Sequence, residues 1–292
     1  MENEKDFERL LDLLIIACTI MTAYIFIKTP FEEWSVGFLG QVTGYNTNAI
    51  GAFASICAMI ASYKGLILKK RAYLLLTVAF VMLCILTSSR KALFFAIFGI
   101  FLLVLFDTKK SNYFIKLMIV FGLLVVVLFL IFNIPFLYEA IGRRLVSMEV
   151  FFRDDVSADS SLALREYFRY MAKRFYIENP VKGIGLNNFS AYLLQYSEKS
   201  SYSHNNFTEI ASGLGTIGLL VYYWFYAYLL IKLLNQMLKG QRLAILFFPM
   251  ICLIIIFEYA MVNYYSSVIQ IIIVATYIAV CLNDTKIKKK SK

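Results

Sequence analysis

Charge is scarce in this chain. Only 16% of its 292 residues are charged, against about a quarter in soluble domains, and that excludes a pair of ordinary soluble domains. Zinc-type cysteine spacing is missing. The five cysteines, Cys18, Cys57, Cys84, Cys252 and Cys281, include no CxxC pair, which argues against a disulfide framework or a metal site; they read as small apolar packing residues. No internal repeat is present, which disfavours a transporter built from inverted halves. The start, "MENEKDFER", mixes acidic and basic residues, and no small-residue cleavage site follows the first apolar run, so no cleavable signal peptide is expected. Histidine is almost absent: His204 is the only one.

Apolar residues fill the space that charge leaves. They make up 60% of the chain, and mean hydropathy is +0.70. A spanning helix needs roughly 20 apolar residues. Runs near 10–28, 47–63, 72–89, 91–107, 114–134, 209–234, 243–262 and 266–283 predict about eight spans. All are expected to be helices, because an open sheet cannot satisfy its backbone in lipid. Only "TSSRK" separates the third from the fourth, which predicts a tight hairpin. The expected fold class is therefore all-α, a polytopic transmembrane helical bundle.

Basic residues set the orientation. Lys64, Lys69, Lys70 and Arg71 share one loop, Lys109, Lys110 and Lys116 a second, Lys232, Lys239 and Arg242 a third, and the tail "TKIKKKSK" adds five lysines. Loops nearly free of basic residues alternate with these. The alternation is consistent when both termini are cytoplasmic in a multi-pass protein of the cell (cytoplasmic or inner) membrane. The net charge of +10 is then a topology signal, and no nucleic-acid partner is expected. The lysine tail suits anionic headgroups of the lipid bilayer. The expected organisation is an N-terminal bundle of about five spans over 1–134, a large extracytoplasmic loop over 135–208, about three spans over 209–283, and a basic cytoplasmic tail over 284–292.

The large loop is highly charged and has its own order. "SLALREYFRYMAKRFYIENP" places Leu162, Leu164, Tyr167, Phe168, Met171 and Phe175 at three- and four-residue steps, the pattern of an amphipathic helix lying on the bundle or the membrane surface. Pro180, Gly183 and Gly185 end it. Asp154, Asp155 and Asp159 fit no metal-loop template.

Several side chains have two readings. Arg90 ends the third span at the outer face, either snorkelling or binding an anionic group. Arg165 and Arg169, with Lys173 a turn further, share a helix face. They form either a solvated edge with Glu166 and Glu178 nearby or a guanidinium clamp on phosphate. His204 precedes a membrane helix, with Asn205 and Asn206 beside it and Glu209 at a helical offset. It is either a surface side chain or a general acid or base. "GLGTIG" narrows that helix so that another can approach, or serves packing alone. Tyr167, Tyr170, Tyr176, Tyr192, Tyr196 and Tyr202 suit sugar stacking and interfacial anchoring equally.

Taken in order, Arg90 in "SSR", Arg165 to Pro180, Gly183 and Gly185, and then His204, Asn205 and Glu209 with trailing glycines resemble the O-antigen ligase and polymerase superfamily. "GYNTNAIG" (Gly44 to Gly51) is similar to that family's Asn-rich lead into an upstream span. The resemblance runs from about residue 40 onward. It implies a membrane-embedded glycosyltransferase of the C type, without metal or cofactor. The donor it implies is an undecaprenyl-diphosphate-linked oligosaccharide, and the acceptor is a hydroxyl on another glycan, a lipid core or a protein. A chain-length regulator and a flippase are the expected partners. Carried over, Arg90 and Arg165, with Arg169 beside them, hold the diphosphate. His204 activates the acceptor, and Asn205 and Glu209 support it.

Elementary chemistry agrees with that assignment. Attack at the anomeric carbon leaves charge on a departing diphosphate, which preorganised cations stabilise, and a neutral imidazole can take the acceptor's proton. The expected function is a polymerase joining lipid-linked repeat units of a surface polysaccharide. A ligase delivering the finished glycan is the near alternative. A lipid-glycan flippase or a non-catalytic assembly subunit is the alternative from another class.

Overall fold

The computed structural model describes residues 4–34, 39–107, 113–143, 145–146 and 160–290. Among them every regular element is helical and no strand occurs. Each of the eight apolar runs forms a helix: α1 (Glu4–Lys28), α2 (Thr47–Ser62), α3 (Tyr73–Leu86), α4 (Arg90–Phe106), α5 (Tyr113–Asn133), α8 (Asn206–Leu238), α9 (Arg242–Glu258) and α10 (Ser267–Lys290). Between α5 and α8 lie α6 (Ser160–Glu178) and the short α7 (Phe189–Leu193). Asp154, Asp155, Asp159, Lys109 and Lys110, and the side chain of Leu162, lie outside the described residues.

By length and composition four helices qualify as spans: Lys5–Lys28, Thr47–Ile67, Asn206–Leu238 and Ser267–Thr285. A fifth is the pair Leu124–Asn133 and Pro135–Gly142, bent by 95°. α3, with 14 residues, is about 21 Å long at 1.5 Å per residue, shorter than the roughly 30 Å hydrocarbon layer. The chain is an all-helical membrane protein.

Two compact units make up the chain. The first comprises Met1–Phe152, Gln236–Met250 and Cys281–Lys292; the second comprises Arg153–Asn235 and Ile251–Val280. α8, α9 and α10 therefore contribute to both.

α2 is the buried helix of the first unit, with Ala54, Ile56, Cys57, Ala58, Met59, Ile60 and Ala61 all essentially inaccessible. Small residues permit that packing. At Gly99 of α4 an added Cβ would lie 2.4 Å from Met59 Sδ, and at Gly51 of α2 it would lie 2.9 Å from Ala92 Cβ. α3, α4, α5 and the bent segment meet in a cluster of Ile85, Leu93, Ile131, Leu137 and Ile141. Lys64, counted above only as a topology charge, is fully buried. Its Nζ donates to Asp12 Oδ1 at 2.7 Å, and Tyr73 OH donates to the same oxygen at 2.6 Å.

In the second unit α6 is the expected amphipathic helix, and its apolar face has a definite partner. Phe168, Met171, Ala172 and Phe175 pack with Ile184, Phe189 and Leu193 of the segment that follows, and Leu164 and Tyr167 flank them. The loop thus carries a small core of its own.

Candidate functional site

α8 is continuous in sequence but consists of two helices. Gly215 has φ 64° and ψ −165°, a region essentially restricted to glycine. Asn206 Nδ2 nevertheless donates to Tyr223 OH at 3.2 Å, and the rings of Phe207 and Tyr223 stack at 4.6 Å. In a straight helix seventeen residues would separate these by about 25 Å. The arm 206–214 therefore folds back beside the arm 216–238. The second arm alone, about 34 Å long, is enough to cross a bilayer.

The vertex leaves helix-end groups without partners inside α8, and the Pro180–Gly185 segment supplies them. Ile184 N and Gly185 N donate to the carbonyls of Ser212 and Gly213 at 2.9 and 2.8 Å, and Thr216 N and Ile217 N donate to those of Pro180 and Val181 at 2.8 and 3.4 Å. Tyr176 OH meets Thr216 Oγ1 at 2.9 Å. Backbone pairs with backbone here, so a Cβ at Gly183 would lie 2.4 Å from Gly213 C, and one at Gly215 2.3 Å from Val181 O. Of the glycines expected to narrow this helix for another, Gly215 instead breaks it and, with Gly213, receives a loop. The sequence separation of about 30 residues hid this.

The folding-back sets the foot of the first arm beside the second, where the His204 turn lies. Asn205 caps the arm: its Oδ1 accepts from Thr208 N at 3.0 Å, and its Nδ2 donates to the Tyr259 carbonyl at 3.0 Å. Buried Glu209 reaches back, its Oε2 accepting from Ser203 N at 2.7 Å. Ser203 Oγ donates to the Asn205 carbonyl at 2.8 Å. These bonds bracket His204 on both sides. The residue itself is half-buried and left-handed, with φ 58°, a conformation that costs a side chain such as histidine about 1–3 kcal/mol unless its surroundings enforce it. Its ring stacks on Phe168 at 6.0 Å and lies tilted against Tyr202 at 4.1 Å.

Phe168 brings α6 to the turn; Arg165 lies three residues earlier on the same helix face, and Arg169 one turn on from Arg165. Burial raises the Tyr202 phenol above its ordinary value. The Arg165 guanidinium acts against that, and Glu209 adds to it, which places both charges near the ring that covers His204. The Arg169 guanidinium sits 5.9 Å above the Tyr259 ring, and its Nε donates to the Arg165 carbonyl at 3.4 Å. Glu178 pairs with Arg174 at 2.9 Å. Of the six candidate tyrosines, Tyr176 serves the vertex, and Tyr192 and Tyr196 pack against Phe175. Arg165, Arg169, His204, Asn205 and Glu209 all belong to the second unit.

A cluster that the sequence reading missed adjoins it. Glu258, at the end of α9, is fully buried. Its Oε1 accepts from Tyr222 OH at 3.2 Å and Tyr226 OH at 3.0 Å, and its Oε2 from Tyr223 OH at 2.8 Å. Asn206 Oδ1 accepts from Asn263 N and Tyr264 N at 2.9 and 3.1 Å. A signal existed: one carboxylate at the end of an apolar run, and tyrosines at i, i+1 and i+4 in another.

Arg90 lies in the first unit. It does not end α3; it is the first residue of α4, after the cap Ser89. Ser89 Oγ accepts from Ala92 N at 3.5 Å and donates to Asn48 Oδ1 at 3.1 Å. Asn48 belongs to the Asn-rich lead into α2, where Asn46 is the cap. Ser88 is left-handed, and its hydroxyl donates to the Ala140 carbonyl. The positive end of a helix dipole repels a cation and attracts an anion, so a guanidinium placed there adds to a field suited to phosphate.

A family model described as O-antigen ligase matches residues 75–223, just over half of the chain. Arg90, Arg165, Arg169, His204, Asn205 and Glu209 fall inside that stretch, and Glu258 falls beyond it. No curated protein matches the chain.

Proposed function

The chain belongs to the O-antigen ligase family, and from that premise we propose that it joins polyprenyl-diphosphate-linked glycan repeat units into a surface polysaccharide. At the coarser level the family indicates a membrane glycosyltransferase of the O-antigen ligase type acting on a lipid-linked glycan.

The supporting observation is the His204 turn. An imidazole on a residue of left-handed conformation lies against two aromatic rings, on a turn fixed from both sides. On the helix that carries one of those rings, two guanidiniums lie three residues before it and one after. In the proposed reaction the acceptor oxygen attacks the anomeric carbon, and its proton passes to the His204 imidazole. The bond from that carbon to the diphosphate oxygen breaks, and the diphosphate leaves on its lipid. Arg165 and Arg169 stabilise the charge on the departing oxygens. Arg90, at its helix N-terminus, is proposed as a further phosphate-binding cation. Asn205 and Glu209 touch neither reactant and hold the turn. In the proposed topology all eight apolar runs cross the cytoplasmic membrane, α3 together with the residues that flank it in the 72–89 run, both termini face the cytoplasm, and the His204 turn faces away from it.

The family description favours a second reading, transfer of a finished glycan to a lipid core or protein. A strain lacking this protein, complemented with the wild type, His204→Ala or Arg165→Ala, separates these readings. Polymerase activity predicts that both variants insert in the membrane but leave single repeat units on the carrier lipid. Ligase activity predicts long chains stranded on that lipid. Normal surface polysaccharide from both variants would refute the assignment.

A further inference from the structure

We infer that Glu258 is a positioning residue for His204, acting through Tyr223 and Asn206; the inference rests on the proposed role of His204 as proton acceptor.

The path can be followed bond by bond. Glu258 Oε2 accepts from Tyr223 OH at 2.8 Å, and Tyr223 OH accepts from Asn206 Nδ2 at 3.2 Å. Asn206 follows His204 by two residues, and its Oδ1 holds the amides of Asn263 and Tyr264. Asn205, immediately after His204, donates to the carbonyl of Tyr259, the residue that follows Glu258. The end of α9 and the turn after it are thus stitched to the two residues that follow the imidazole. Asn206 and Glu258 are completely buried, and Tyr223 between them is half-buried.

A carboxylate in such surroundings is costly unless donors surround it. Three tyrosine hydroxyls do so here, but they differ in what they connect. Tyr223 links the carboxylate to Asn206, whereas Tyr226 bonds to Glu258 and neighbours Tyr222. That asymmetry distinguishes positioning from general support of the core.

His204 is the only histidine, so imidazole modification by diethyl pyrocarbonate reports on this residue alone, provided the affinity tag contains none. The full chain is purified in detergent, and the reagent's hydroxylamine-reversible absorbance change is followed. Tyr223→Phe is expected to raise the modification rate about three- to tenfold, the scale of one lost neutral hydrogen bond, while Tyr226→Phe stays within about twofold of the wild type. Glu258→Gln, which keeps an acceptor oxygen, stays near the wild type, and Glu258→Ala follows Tyr223→Phe. Should Glu258→Ala fail to accumulate, the two phenylalanine variants still decide. Equal rates in Tyr223→Phe and Tyr226→Phe, raised or not, would overturn the inference. Normal polymer from His204→Ala would instead overturn the proton-acceptor role and leave the reactivity comparison standing.

Discussion

Each unit contains a helix N-terminus built by the same local device. Before α4 the order is left-handed Ser88, cap Ser89, then Arg90; before α8 it is left-handed His204, cap Asn205, then Asn206. Both caps accept from the amide three residues on. The difference lies in where the chemically interesting side chain sits. Arg90 is inside the helix, and the strained residue before it is a serine that bonds to Ala140. At α8 the strained residue is the histidine itself, outside the helix and covered by Tyr202 and Phe168. One device adds a cation to a helix dipole; the other presents an imidazole on a rigid turn.

The largest effect expected from breaking this comparison is chemical. Arg90→Ala and Arg165→Ala should each lower glycan turnover by about 100-fold, the scale of losing one preorganised charge, in a purified assay with lipid-linked donor. Arg90→Lys should recover only part of that, because an ammonium lacks the planar fork.

The next effect concerns one glycine in each unit that admits a close neighbour. Gly215→Ala should cost about 3 kcal/mol, since the residue is left-handed and its Cβ would strike a backbone carbonyl. Gly51→Ala lies in regular helix and would crowd only the side chains of Ala92, Thr87 and Ser89, for about 1 kcal/mol. Thermal unfolding in detergent orders the two, and a larger loss at Gly51 would contradict the vertex. The smallest effect is at a cap. Asn205→Ala should cost about 1 kcal/mol, as at Gly51, and Ser89→Ala, with its longer bond, about 0.5 kcal/mol. Equal losses would remove the distinction drawn between the two ends.

The sequence made the helices legible, because each apolar run between polar breaks became one. It also offers Arg165, Arg169, His204, Asn205 and Glu209 as candidates, through their order and the family resemblance. Periodicity describes a residue's neighbours within a turn or two and is silent about partners further along the chain. The Gly215 break depends on a loop about 30 residues earlier. Lys64 was visible as a basic loop residue, but its burial depends on Asp12. Glu258 looked like a lone charge at the end of a run until tyrosines from α8 met it. Composition does not distinguish the end of α3 from the start of α4, so the sequence alone does not assign Arg90 to α4.

The most direct test of the central claim, that the His204 imidazole accepts the acceptor's proton, is single-turnover transfer by purified protein from a defined polyprenyl-diphosphate glycan. His204→Ala is expected to bind the donor as the wild type does and to transfer it at least about 100-fold more slowly. Transfer by His204→Ala within about threefold of the wild type would contradict the account.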